Sequence, residues 1–406
     1  MTEAYIVATA RSPIGRARKG SLAGIRPDDL AALMVGAALE KVPGLDPARI
    51  DDLMIGCGQP AGEQGMNIAR IVAVLSGLDG VPGTTVNRYC SSSLQTTRMA
   101  FHAIKAGEGD VFVSGGVESV SHYAAGSADF FPESVENPRF AEAVARTAAR
   151  TGAGAGVWTD PRAAGALPDP YIAMGQTAEN VAGLRGITRD EQDAFAARSQ
   201  QRAEAAIASG FWAREIDPVT LPDGTVVRTD DGPRPGVTAE SLAALDPVFR
   251  PDGTVTAGNC CPLNDGAAAV VVVSERVVAE LGLTPVARIV STGVSALSPE
   301  IMGLGPVEAS RRALALAGLT VDDMDLVEIN EAFAAQVIPS ARELGVDEDR
   351  LNVHGGAIAV GHPFGMTGAR ITATLINGLA STGGRYGLET MCVGGGQGMA
   401  MVLERL

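Results

Sequence analysis

Short apolar runs alternate with longer segments of helical periodicity along this chain. Tyr5–Ala8, Asp52–Ile55, Val111–Ser114, Ala268–Val273 and Ala287–Ser291 have the length and branched-residue content of β-strands. Pro27–Glu40, Leu94–Ala106, Glu308–Ala317 and Thr367–Leu379 repeat apolar residues at helical spacing. The alternation predicts an α/β fold with helices packed on sheets.

The two ends of the chain share an order of elements. The first runs strand (Ala4–Thr9), helix (Asp28–Leu39), Gly44-Leu45 and strand (Asp52–Gly56). It continues with Cys90, the helix Leu94–Ala106 and the strand Val111–Ser114, closing on Gly115-Gly116. The last third runs strand (Ala287–Ser291), helix (Val307–Ala317), Gly318-Leu319 and strand (Asp325–Asn330). It continues with His362, the helix Thr367–Leu379 and the strand Glu389–Val393, closing on Gly394-Gly395-Gly396. The matching places of Cys90 and His362 favour a duplicated fold with half of a site in each copy. The competing account is that any α/β chain contains strand–helix–strand runs.

The pattern breaks from about Ser121 to Leu263. Ala141–Gly156 is rich in Ala, Arg and Gly, and Asp160–Asp169 contains prolines. Helices are expected again at Ala178–Gly183 and Asp190–Ser209, the latter opened by the capping-box spacing Thr188-Arg189-Asp190-Glu191. This stretch reads as an inserted loop domain. It serves either as a lid and binding loop or as a wider subunit interface. The expected organisation is 1–120 with 264–284 as the first half, 121–263 as the insertion and 285–406 as the second half.

Composition narrows the function. The chain has 406 residues, 46% apolar and 19% charged, with 50 glycines and few aromatics. Its formal charge is −15 and its basic residues are scattered singly, which argues against nucleic acid as a partner. No apolar run approaches the roughly 20 residues of a membrane helix. The stretch from Met1 to Ala10 reads as a strand rather than an export signal, and Glu404-Arg405-Leu406 is no peroxisomal address. A cytoplasmic enzyme with reduced thiols is expected from five cysteines in no even framework. Neither Cys57 with Cys90 nor the vicinal Cys260-Cys261 pair has a metal-ligand spacing, and no metal site is expected.

Four residues carry the candidate chemistry. Cys90 sits between a strand and an amphipathic helix in Val86-Asn87-Arg88-Tyr89-Cys90-Ser91-Ser92-Ser93. A helix N-terminus favours a thiolate, so Cys90 is a candidate nucleophile; a buried structural cysteine fits this segment equally well. His362 is flanked by Gly361 and Gly365 on a tight turn before a helix, where it suits a base or a structural cap. Cys392 ends a strand at Gly394-Gly395-Gly396, whose backbone N–H groups can form an anion nest. A dinucleotide loop is excluded there because Met399–Leu403 is a strand and no helix follows. Asn330 closes an acidic-flanked strand as an oxyanion donor or an N-cap. His102, inside a helix, is expected to be structural, and His122 has no assigned role.

The ordered set of motifs resembles the thiolase family over nearly the whole chain. It comprises Asn87-x-x-Cys90-x-Ser92, Met174–Ala182, Thr254–Asn259, Leu263–Ala268, Asn330-Glu331-Ala332-Phe333, Gly355–Pro363 and Cys392–Gly398. The resemblance implies a five-layered α-β-α-β-α fold of two similar halves, in a homodimer or homotetramer. It implies CoA as co-substrate and no tightly bound cofactor. It makes Cys90 the acyl-accepting nucleophile, His362 its base and Cys392 the residue that moves the α-proton. Asn330, holding a water, and His362 match one oxyanion hole; the backbone N–H groups of Cys90 and Gly394 match the other. Arg234, Ser241, Met174, Ala257, Cys261 and Phe333 fall along the implied CoA path. The implied reaction is thiolytic cleavage of 3-ketoacyl-CoA, of fatty-acid β-oxidation type, with condensation of two acetyl-CoA as the alternative. An inactive lipid carrier of the same fold is a further reading. A decarboxylating condensing enzyme is disfavoured by Asn330 and Cys392. Ser93, Ala173 and Cys261 depart from the family pattern, and Ser93 is expected to enter the tightest part of the site and alter acyl access.

Overall fold

In a computed structural model of the protein, residues 2–123 and 136–406 are described. Met1 and residues 124–135, which belong to the expected first strand region and the expected insertion, lie outside them. The described strands are β1 (Ala4–Arg11), β2 (Gly15–Arg16), β3 (Asp52–Gly56), β4 (Gly83–Val86), β5 (Val111–Ser119) and β6 (Val219–Thr220). They continue with β7 (Val226–Val227), β8 (Asn264–Ser274), β9 (Ala287–Ala296), β10 (Leu326–Ile329), β11 (Tyr386–Val393) and β12 (Gln397–Arg405). The expected strands and helices all form. The helix expected at Pro27–Glu40 has those limits, and the others extend by a few residues.

The strand order is β10-β11-β12-β9-β1-β8-β5-β3-β4, with β2 added on β8. The two sides of this order repeat one topology. On one side β1 pairs antiparallel with β8, β8 antiparallel with β5, and β5 parallel with β3. On the other, β9 pairs antiparallel with β12, β12 antiparallel with β11, and β11 parallel with β10. The parallel neighbour β4 beside β3 has its counterpart in the single bridge of Leu351 to Val327 on β10. The sides meet where β1 touches β9 through Tyr5–Arg288 and Ile6–Ala287, so the half-sheets join into one hydrogen-bonded sheet.

Alternation along the strands separates three cores. On β8, Ala268, Val270 and Val272 face a central core, and Ala267, Ala269, Val271 and Val273 face an outer one. The central core holds the helices Ser92–Ala106 and Thr367–Thr382, packed between faces of both half-sheets through Leu94, Phe101, Ile371 and Leu375. The first outer core takes Leu30, Met34 and Val72 from the helices Pro27–Glu40 and Ile68–Leu75. The second takes Val307, Ala313 and Val337 from the helices Gly305–Ala317 and Ala334–Leu344. This gives five layers: helix, sheet, paired helices, sheet, helix. The central helices approach closely because Gly368 has no side chain; a Cβ there would stand 2.1 Å from the Leu94 nitrogen.

Between β5 and β8 the chain forms short helices, the small β6–β7 hairpin and the long helix Arg189–Ala208. That helix opens on the expected reciprocal capping box of Thr188 and Glu191. Among the described residues no helix is long and apolar enough to cross a membrane.

Candidate active site

Cys90 lies on a single 3₁₀ turn, Tyr89–Ser91, between β4 and the central helix Ser92–Ala106. The turn forces Tyr89 to a left-handed φ of 44°, held by the Asn87 side chain accepting from the Tyr89 N–H at 2.8 Å. Cys90 is partly exposed. Burial pushes its thiol up to about 11 and the Glu118 charge adds to that, while the N–H groups of Gly394 and of Cys90 itself pull it down. The lowering expected from the helix end is therefore outweighed, and the resting sulfur is a thiol.

The Cys392 side chain is fully buried on β11. Burial, and then the neighbouring Cys90, push its thiol well up. Cys261 is also pushed up, first by burial and then by Cys260, Cys90 and Cys392. The nucleophile candidate, the second cysteine and Cys261 therefore share one neighbourhood.

His362 is fully buried on the turn before the second central helix. Burial and the Arg370 charge push its imidazole down to about 3, so it is neutral. Its hydrogen bonds favour one tautomer. Thr367 Oγ1 lies 2.6 Å from His362 Nδ1 and 2.7 Å from the Pro363 carbonyl. With the hydroxyl proton on that carbonyl, Thr367 Oγ1 accepts from Nδ1–H, which leaves Nε2 with its lone pair. Asn330 Nδ2 lies 3.3 Å from that Nε2. The His362 N–H donates to Asn264 Oδ1 at 2.9 Å. Gly361, at φ 115°, allows this approach, since a Cβ would meet the Asn264 side chain at 2.8 Å.

The halves converge here. The carbonyl of Tyr89 and the Cβ of Phe364, each a chain neighbour of a candidate residue or one removed from it, both border Gly58, at 3.3 and 2.9 Å from the place of a Cβ. Arg88 donates to Gln397 Oε1 at 2.8 Å, and Gln397 Nε2 donates to the Gly394 carbonyl at 3.2 Å. Tyr89 also lays its ring against Gly394.

Most of the residues expected along the CoA path fall into two groups that Cys260 joins. Met174, Cys261 and Phe333 cluster with Cys392 in one apolar patch. Arg234 and Ala257 line a groove with Arg16, Gly232 and Cys260. Ser241 joins neither group: it is exposed, and its hydroxyl donates to the Thr238 carbonyl at 2.8 Å within a helix cap. Ser93 also differs from expectation. It is fully buried, and its Oγ accepts from the Ala369 N–H at 2.9 Å. It thus caps the second central helix, whose own N-cap Met366 has no capping side chain. His102 is exposed on its helix, and His122 pairs with Glu63 at 2.6 Å.

Sequence reasoning passed over Glu118, Thr367 and Asn264. The available signal for Glu118 was a lone acid in an otherwise apolar and glycine-rich strand, Val111–Ser119, buried throughout.

Comparison with known proteins agrees with this architecture. Residues 4–276 match the thiolase N-terminal domain and residues 283–405 the thiolase C-terminal domain. The chain is 45% identical to the β-ketoadipyl-CoA thiolase of Escherichia coli over the full length of both. It is 44% identical to the 3-ketoacyl-CoA thiolase of Bacillus subtilis, again over the full length of both. The crystal structure of the Bacillus anthracis acetyl-CoA acetyltransferase superposes with a TM-score of 0.86 at 38% identity, covering 100% of this chain and 99% of that one. With both thiolase domains matched in order across its length, this chain belongs to the thiolase family of acyltransferases.

Proposed function

We propose that this protein cleaves 3-ketoacyl-CoA with CoA, giving acetyl-CoA and a shortened acyl-CoA through an acyl-Cys90 thioester. The observation that carries the reading is the setting of Cys90. Two backbone N–H groups, of Gly394 and of Cys90, are directed at its sulfur, and the Cys392 thiol is beside it. Burial holds the thiol protonated at rest, so ionisation is coupled to substrate binding and to proton transfer.

The steps balance as follows. His362 Nε2 takes the Cys90 proton as the sulfur attacks the C3 carbonyl of the substrate. The resulting oxyanion is held by the N–H groups of Cys90 and Gly394. The C2–C3 bond breaks, leaving the acyl group on Cys90 and an acetyl-CoA enolate beside Asn330 and His362. The Cys392 thiol protonates C2. Free CoA then attacks the acyl-Cys90 thioester; its proton returns to Cys392, and His362 returns the first proton to Cys90. Thiols suit both roles, as nucleophile when ionised and as acid otherwise.

The substrates to compare first are β-ketoadipyl-CoA and straight-chain 3-ketoacyl-CoA thioesters, because relatives named for each match the full chain. The same steps reversed condense two acetyl-CoA, a second reading favoured by the likeness to an acetyl-CoA acetyltransferase. The test follows the absorbance of each 3-ketoacyl-CoA–magnesium complex on addition of CoA. Loss of signal with wild type and none with Cys90→Ala is expected. No loss with any substrate in the panel would overturn the proposal.

A further inference from the structure

Among the buried carboxylates that the steps above do not use, one lies between the two candidate turns. Glu118, near the end of β5, has no exposed surface. Its Oε2 accepts from the N–H groups of Gly58 and Gly365, both at 2.8 Å. Its Oε1 accepts from the Gln59 N–H at 3.1 Å and from Gln64 Nε2 at 2.8 Å. Gly58 is the residue over which Tyr89 and Phe364 meet, and Gly365 lies three positions after His362. One carboxylate therefore ties the floor under the nucleophile to the turn that carries the imidazole.

A second buried carboxylate, Glu331, holds the other side of that turn. It accepts from the Ile358 N–H at 3.1 Å, Ser199 Oγ at 2.6 Å and Asn352 Nδ2 at 2.9 Å. These partners lie in the second half and the insertion. Of these two carboxylates, Glu118 is the one that reaches the half that carries Cys90. The titratable groups facing Glu118 among the described residues are Cys57, with Sγ 3.9 Å from Oε1, and Cys90 and Tyr123. All three are pushed up first by burial and then by the Glu118 charge. Burial raises Glu118 itself to about 7, against the pull of its backbone donors.

We propose that Glu118 is a positioning residue of the thiolase-type reaction: its carboxylate fixes the His362 turn to the Cys90 half and supplies the negative charge against which the Cys90 thiolate must form. This inference rests on Cys90 being the nucleophile, so its test has one arm that needs no substrate.

That arm is the pH profile of Cys90 alkylation by iodoacetamide, located by mass spectrometry, in wild type and Glu118→Gln. Removing a buried charge raises the thiolate fraction on the order of tenfold. Nucleophilicity falls as the pKa falls, so alkylation at pH 7.5 should quicken roughly threefold, with the profile moved to lower pH. The second arm is Glu118→Asp, which keeps the charge but is too short to hold Gly58 and Gly365 together. Its kcat should fall about 10²-fold, as for a misplaced catalytic group, with KM for CoA within about twofold. It also decides the matter if Glu118→Gln does not fold. An unmoved alkylation profile in folded Glu118→Gln, or wild-type kcat in Glu118→Asp, would overturn the proposal. Absence of turnover in wild type with the Glu118→Gln shift intact would instead remove the reaction proposed above.

Discussion

Replacing Thr367 with valine tests how this fold prepares His362, the base of the proposed reaction. Valine has nearly the shape of threonine and Thr367 is fully buried, so packing is kept while the hydroxyl is lost. The lost group accepts the Nδ1 proton of His362 at 2.6 Å. An orphaned buried donor costs about 1–3 kcal/mol. That cost falls on the tautomer with the proton on Nδ1 and not on the one with the proton on Nε2. The tautomer ratio therefore moves against the base-competent form by about 5- to 150-fold, at 1.4 kcal/mol per factor of ten. The kcat of thiolysis should fall by up to that factor, and KM for CoA should hold. Thr367→Ser, which keeps the acceptor, should stay within about threefold of wild type. Thiolysis rates of the three proteins at saturating CoA provide the measurement, with ¹⁵N chemical shifts of the histidine ring reporting the tautomer. Wild-type kcat in Thr367→Val, or an unchanged ring tautomer, would refute the argument.

Ser93→Ala should lower stability by about 1–2 kcal/mol, because it removes the cap on the Ala369 N–H. It should leave the ranking of acyl chain lengths unchanged; a broadened substrate range would instead place Ser93 in the acyl pocket. Gly368→Ala should cost about 3 kcal/mol, read as a lower denaturant midpoint, because the new Cβ would meet the backbone nitrogen of Leu94 at 2.1 Å. Burial raises the Glu328 carboxyl from 4.5 to about 8, with Arg370 opposing. Between those values the folded state binds the extra proton, so stability falls as pH rises through that window. Melting temperature should drop less from pH 5 to pH 8.5 in Glu328→Gln than in wild type, and parallel curves would contradict this.

The elements were legible because each strand carries its own local signal. β8 reads as an unbroken apolar run since both its faces are covered, one by the paired helices and one by the outer helices. The capping box at Thr188 and Glu191 is equally local. The bonds that join the halves were not legible. Glu118 meets Gly365 across 247 positions and Ser93 meets Ala369 across 276, and neither pair leaves a periodic trace. The direction of the Cys90 shift was likewise hidden. A helix N-terminus can be read from sequence, but the burial that outweighs it, and the Glu118 charge that adds to it, depend on tertiary packing around the turn.

The repeated topology explains where the candidate residues stand. Each half presents one central helix, and the two helices meet at their N-terminal ends, where Gly368 lies against Leu94. A reaction that must ionise a sulfur, hold an oxyanion and move a carbon-bound proton needs more groups than one strand-end and helix-start can display. Duplication supplies a second set, but similarity alone gives no reason for the sets to stay in register. The links that cross between halves do. Ser93 caps the opposite helix, Glu118 binds the opposite turn, and Arg88 reaches Gln397 beside the glycine run. Each starts within three residues of Cys90 or at the end of β5, so the turn that holds the left-handed Tyr89 is tied both to the His362 turn and, through Gln397, to the Gly394 carbonyl. The residues that hold the halves together thus flank both the Cys90 turn and the His362 turn, the two places from which the proposed reaction draws its sulfur and its base.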